Sequence, residues 1–275
     1  MNRKLNKTDF ETLNISNIPS NKNKLLRLLE NFDSSEFTWR EISELNLNTK
    51  LDISNSTLRK MINHSTMIGI MNYSNRKYFL SDISHSLLTQ KCDIDNYFLK
   101  ILKVNNQLFN NVKIILLLLR LFSGTLRVKT VYTVFSYIGK DRLDQSAEAS
   151  VGRNIRAVFS IMTMMGLITR DKSTIHLKNK TKLVNEFGLI NIQSIEKEFN
   201  DYIINVNRLT DYIGEFFDPE IVSKLLSCIS TYETDNYIWS KSSLFKNKGE
   251  IKNIFGDYIM TVIIKRSGQN EFRNI

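Results

Sequence analysis

Only two prolines, Pro19 and Pro219, and ten glycines interrupt the 275 residues. Breakers and turn formers this sparse argue against a many-stranded β fold, so a mainly helical chain is expected. Cysteine is equally scarce. Cys92 and Cys228 lie far apart and form no C-x-x-C pair, which argues against a disulfide framework or a zinc site and fits a reducing, cytoplasmic setting, nucleoid-associated in a bacterium or archaeon. His85 and His176 have no Cys, His or acidic neighbours at ligand spacing, so no metal is expected. Long apolar runs are missing too. The longest, residues 114–122, is broken by Arg120 and falls well short of the roughly 20 residues that span a bilayer, so it reads as a buried helix and no membrane contact is expected. The opening MNRKLNKTDFETLNISN holds no apolar segment of signal-peptide length.

Motifs of catalysis are absent as well: there is no P-loop, G-x-G-x-x-G, H-E-x-x-H or nucleophile elbow. A metal-dependent nuclease pattern, D…(D/E)-x-K, finds its aspartate in Asp257 and its lysine in Lys265, but Ile263 stands where the second acid belongs, which removes a metal ligand. A binding protein without catalytic residues or cofactor is therefore expected rather than an enzyme.

What the chain does have is length, apolar content and an uneven charge. At 42% apolar it can bury a sizeable core, and 275 residues suggest two domains or three. Up to Lys182 there are 28 Lys and Arg against 15 Asp and Glu, a net +13; the remainder holds 10 against 13, a net −3. Residues 150–182 alone carry seven basic side chains to one acidic. A local positive field attracts polyanions and speeds their encounter, and solubility alone explains such asymmetry poorly.

From Asn21 the pattern is helical. Leu25, Leu26, Leu28, Leu29 and Phe32 share a face, with Asn21 or Asn23 as cap. Thr38 with Glu41 forms a T-x-x-E capping box before Trp39, Ile42 and Leu45. The connector NLNTKLDI leads to a third helix in which Leu58, Met61, Ile62 and Ser65 face inward, leaving Thr57, Arg59, Lys60, Asn63 and His64 outside. Past Gly69, two short apolar stretches, residues 70–73 and 77–80, flank the polar turn Ser74-Asn75-Arg76 as a hairpin.

A second run repeats this order. After a helical connector, residues 83–109, Asn110 or Asn111 starts the strongly apolar VKIILLLLRLFSG; LRVKTVYTVFSYIG follows, read as a helix although its β-branched content also suits a strand. KDRLDQSAEA is a polar connector. Val151, Ile155, Val158, Phe159, Met162 and Met165 then recur at helical spacing, with Arg153, Asn154 and Arg156 on other faces. The Met162, Met164, Met165 stripe reads as adaptable core rather than a ligand pocket. Gly166 closes that helix as Gly69 closes the first, and a second hairpin turns at Asp171-Lys172-Ser173.

Three helices followed by a hairpin, twice, resemble the winged helix-turn-helix superfamily, the specific points being the capped second helix, the outward STLRKMINH and the M-I-G-I and M-M-G-L-I-T-R helix-to-wing transitions. The resemblance implies a mainly α fold with short β-hairpin wings: an arm (1–21), unit one (22–82), a connector (83–109), unit two (110–182) and a helical C-terminal region (183–275). It also implies recognition helices in the major groove and wings on flanking backbone. Lys60, Arg76, Lys77, Arg170 and Lys172 would hold phosphates; Arg59, Asn63, Arg153, Asn154 and Arg156 would reach bases, with Thr57 and His64 beside them. The expected partner is double-stranded DNA read with sequence preference, by a transcription regulator or a replication initiator. Two alternatives stay open: a non-catalytic docking subunit of a larger assembly, and a DNA-reading component of a restriction or defence system.

The mildly acidic last third offers Ile192, Ile195, Phe199, Ile203 and Val206 at helical spacing and a strong helix start at Asp218-Pro219-Glu220. The segment 250–265 reads as a helix or as a strand at residues 260–264. Without basic surplus, 183–275 suits a homodimer or protein-partner contact.

Overall fold

The computed structural model describes residues 3–33, 35–121, 124–178, 181–189, 203–232, 237–242, 251–252 and 258–264. These are mainly helical, with small antiparallel sheets. Ile192, Ile195, Phe199, Asp257 and Lys265 lie outside the described residues.

The first set of elements opens with α1 (Lys22–Glu30), where the Asn21 side chain accepts the Lys24 N–H. Phe37 then exchanges two backbone hydrogen bonds with Tyr78. Helix α2 (Trp39–Glu44) has the expected reciprocal capping box between Thr38 and Glu41. The expected connector contains an extra turn of helix, α3 (Leu47–Leu51), bracketed by Asn46 and Asp52 in the left-handed conformation, which their short polar side chains tolerate better than most. Its two leucines are buried, and that burial is what converts a polar-looking stretch into helix. Helix α4 (Asn55–Met67) is capped by Ser54 and buries Leu58, Met61, Ile62 and Ser65, the four positions its spacing predicts. Strands β1 (Met71–Ser74) and β2 (Lys77–Leu80) form the hairpin.

Helices α5 (Asp82–Leu88) and α6 (Ile94–Val104) connect the two sets, with Tyr97 fully buried and bonded to Ser84. Helix α7 (Asn106–Leu121) starts earlier than expected because Asn105, not Asn110 or Asn111, caps it by accepting the Leu108 N–H. It is buried nearly all round. Strand β3 (Thr125–Arg127) precedes α8 (Val128–Lys140), so the segment is helical as read, its β-branched residues included, apart from its first two residues. Helix α9 (Gln145–Met164) begins within the expected polar connector: Asp144 accepts the Ala147 N–H, and Ala147 is buried. Strands β4 (Ile168–Arg170) and β5 (Thr174–Leu177) complete a three-stranded sheet ordered β3-β5-β4.

Both sets therefore run helix, extended segment, helices, hairpin, with α3 as an additional short helix in the first set, and in both the extended segment pairs with the second hairpin strand. Both long helices close alike. Gly69 donates to Thr66 and Ile70 to Ser65; Gly166 donates to Thr163 and Leu167 to Met162. Each is a Schellman pair of bonds, and each glycine has the positive φ that this closure requires.

Residues 3–20 are a strap across the core. Leu5 donates to Phe216 and accepts from Asp218, and a 3₁₀ turn, Lys7–Phe10, buries Phe10 between Phe135 and Phe217. The amides of Gln107 and Asn111 donate to strap carbonyls at Asp9 and Glu11, and buried Asp9 accepts from Arg3 and Asn110.

The last third is not wholly helical. Helices α10 (Thr181–Asn185), α11 (Val206–Ile213) and α12 (Pro219–Tyr232) accompany a four-stranded sheet of β6 (Ile203–Asn205), β7 (Tyr237–Ser242), β8 (Ile251–Lys252) and β9 (Tyr258–Ile264). Ile203 thus belongs to a strand, and of the two readings of 250–265 the strand holds. In β9 the run Thr261-Val262-Ile263-Ile264 is β-branched, which favours a pleated surface over a helix. The apolar face of α12, including Ile221, Leu225 and Ile229, is buried within this chain, where α12 packs on α8, so that face completes the core instead of awaiting a partner.

Candidate nucleic-acid interface

Burial of one face of α4 turns the other outward, and the structure places Arg59, Lys60 and Asn63 there, exposed. The Arg59 guanidinium lies 5.5 Å from the centroid of the Trp39 ring, within cation–π distance. Asn63 accepts the Tyr78 hydroxyl at 3.1 Å, tying α4 to the hairpin. Thr57 is half-buried and shares its hydroxyl with the capping Ser54 at 2.9 Å.

His64, expected on the outer face, is half-buried and has one ring nitrogen engaged within the chain. Its Nδ1 accepts the backbone N–H of Asn17 at 3.0 Å, so the strap, absent from any helical-wheel reading of α4, claims it. Burial lowers its pKa, the Asn17 carbonyl opposes that, and nearby Lys60 adds a smaller lowering. The unfolded chain therefore takes up a proton near pH 6.5 that the fold resists. Its contribution to stability is present above that pH and is lost as pH falls through the lower folded value. His64→Asn, whose Oδ1 can take the place of Nδ1 as acceptor from Asn17, should flatten the acid limb of a pH series of thermal melts below about pH 6.5. An unchanged acid limb would assign the pH dependence to other groups.

The first hairpin turns on Asn75 and Arg76 alone, both at positive φ, the geometry of a type I′ turn. Arg76 is exposed at the tip, in a position that glycine usually fills. Lys77 lies 3.7 Å from Glu36, a partner that reduces its net field.

On α9, Arg153 and Arg156 are exposed, but Asn154 is buried, its side-chain amide donating to Thr12 Oγ1 at 3.0 Å. Asn154 is therefore withdrawn from base contact: the strap covers the side of α9 that its helical position faces. Arg156 Nε donates to the Gly152 carbonyl, and the side chain lines a cleft of about 240 Å³ with Thr57, Met61, Ala157 and Ser160. The long helices of both sets thus border one cleft. In the second hairpin, Arg170 is exposed with its guanidinium 5.5 Å from the Phe159 ring centroid, and Lys172 is exposed at the turn. His176 lies between Thr125 and Asp171, a structural position in that sheet.

Two cations escaped the sequence reading. Arg40 and Lys129 are both exposed and both occupy the second position of the second helix of their set. A basic residue in the first turn opposes the helix dipole, and that unfavourable placement is the signal that could have found them. Among the described residues no three His, Cys, Asp or Glu side chains group as metal ligands, and no helix is long and apolar enough to cross a membrane. Comparison with known protein families, with curated proteins and with solved structures finds no match for this chain.

Proposed function

We propose that this chain binds double-stranded DNA with sequence preference through two winged helix-turn-helix units, as a transcription regulator or a replication initiator. The observation that carries the reading is the repeated order of elements, in which two helices with the same Schellman closure each present two exposed basic side chains, Arg59 with Lys60 and Arg153 with Arg156, beside a basic hairpin. Lys60, Arg76, Lys77, Arg170 and Lys172, joined by Arg40 and Lys129, would hold phosphates; Arg59, Asn63, Arg153 and Arg156 would reach base edges. A protein-docking role would instead call for apolar outward faces on α4 and α9, where these arginines stand.

The test is a gel shift on random duplexes across a salt series, followed by selection of bound sequences. Affinity should fall steeply and linearly on a log–log plot, by about 0.9 in slope per phosphate neutralised. Arg76→Gly should lower the slope by about one while holding or raising the melting temperature, because glycine relieves the positive φ at the turn. No binding at low salt, or binding indifferent to salt, would sink the reading.

A further inference from the structure

The first hairpin carries two facing tyrosines at the end of the face that turns toward α4. Tyr73 is 53% exposed on β1, and register places it opposite Tyr78, so both rings stand on one face, 4.6 Å apart at 42°. The Tyr78 hydroxyl donates to Asn63 on α4. Burial and the Tyr73 ring push its pKa up while Arg59 opposes them, so it stays a protonated donor at neutral pH. Arg59 in turn lies over the Trp39 ring at cation–π distance, adding a guanidinium beside the rings. Tyr73, Tyr78, Asn63, Arg59 and Trp39 thus form a continuous strip from wing to helix, with Arg76 and Lys77 at its hairpin end and Glu36 as the acid beside Lys77.

We infer that this strip is a stacking platform for unpaired DNA bases, resting on the DNA-binding reading above. Every base has a π face, and aromatic rings and guanidinium planes bind it regardless of sequence while neighbouring cations hold the phosphates. Bases within an intact duplex are already stacked on one another and cannot offer that face. The platform therefore selects DNA that is melted or mismatched where the first wing lands. Cross-strand packing accounts for two tyrosines facing each other on the hairpin, but not for the exposure of Tyr73 or for the cationic surround of Arg59, Arg76 and Lys77. The site gives the protein a reason to sit where a duplex opens, which fits initiation better than simple repression.

Fluorescence anisotropy with three labelled DNAs tests this: a duplex, the same duplex with a central mismatched bubble, and one strand alone. The bubble should bind the full chain about ten-fold or more tighter than the duplex, the usual worth of a base–aromatic stack. Tyr73→Leu should abolish that preference and Tyr73→Trp should keep it, with duplex affinity within about two-fold in both. Leucine retains apolar area without a π face, so its loss separates stacking from hydrophobic contact. Equal binding of bubble and duplex, or a Tyr73→Leu variant that weakens both alike, overturns the platform and leaves duplex binding standing. Failure to bind any of the three DNAs removes the DNA reading together with it.

Discussion

Phe10→Ala is expected to remove about 3–5 kcal/mol of folding stability, as truncation of a fully buried aromatic does. The ring is fully buried, 5.5 Å from that of Phe135 on α8 and 5.9 Å from that of Phe217 ahead of α12. Three stretches distant in sequence meet at this one side chain, so its loss leaves a cavity that none of them can fill by a small shift. Gly139 makes the companion case from the opposite direction. A Cβ there would lie 2.7 Å from the Phe10 carbonyl oxygen, a backbone atom that cannot swing aside, so Gly139→Ala should cost about 1–3 kcal/mol by lifting the strap from α8. Chemical denaturation reads both. A loss under about 1 kcal/mol for Phe10→Ala would make the strap a peripheral attachment, and Asn17 and Thr12 could then not be fixed restraints on α4 and α9.

The strap also marks where sequence reasoning stopped. Periodicity identified the inward faces of α4 and α9 because Leu58, Met61, Ile62, Val151, Ile155 and Met162 repeat at helical spacing, and burial enforces that spacing locally. The two glycine closures were legible for the same reason: a positive φ after a helix is a local demand that glycine meets. What periodicity cannot tell is which polar face meets solvent and which meets another part of the chain. His64 and Asn154 both read as surface residues, yet each bonds to a strap residue, 47 and 142 positions away. The sheet of the last third was hidden likewise. Strand β6 pairs with β9 some sixty residues away and β8, which lies near β9 in sequence, is only two residues long, so local patterning gave little sign of the sheet beyond the β-branched end of β9. Helix α9 was read as starting late because residues 145–149 look polar, although Ala147 is small enough to be buried without an apolar signature.

Arg153→Ala with Arg156→Ala should weaken DNA binding about 100-fold at physiological salt, taking each arginine at roughly 1–3 kcal/mol of contact with base or phosphate. Spacing of three residues puts both on one exposed strip of α9, and Arg156 borders the cleft that α4 also lines through Thr57 and Met61. A duplex engaging both long helices must pass this junction, so the pair should cost more than two arginines elsewhere. Two comparisons make the result specific. Lys246→Ala with Lys248→Ala, in the mildly acidic last third, should cost less than about three-fold, because the surrounding field is not one that collects polyanions. Asn154→Ala should lower stability by about 1–2 kcal/mol through loss of the bond to Thr12 while leaving the selected DNA sequence unchanged, since a buried amide reads no base. Equal losses from the arginine and lysine pairs would show that charge alone, not α9, binds DNA. A change of selected sequence in Asn154→Ala would show instead that the strap yields when DNA arrives and that α9 presents a face hidden in the free protein.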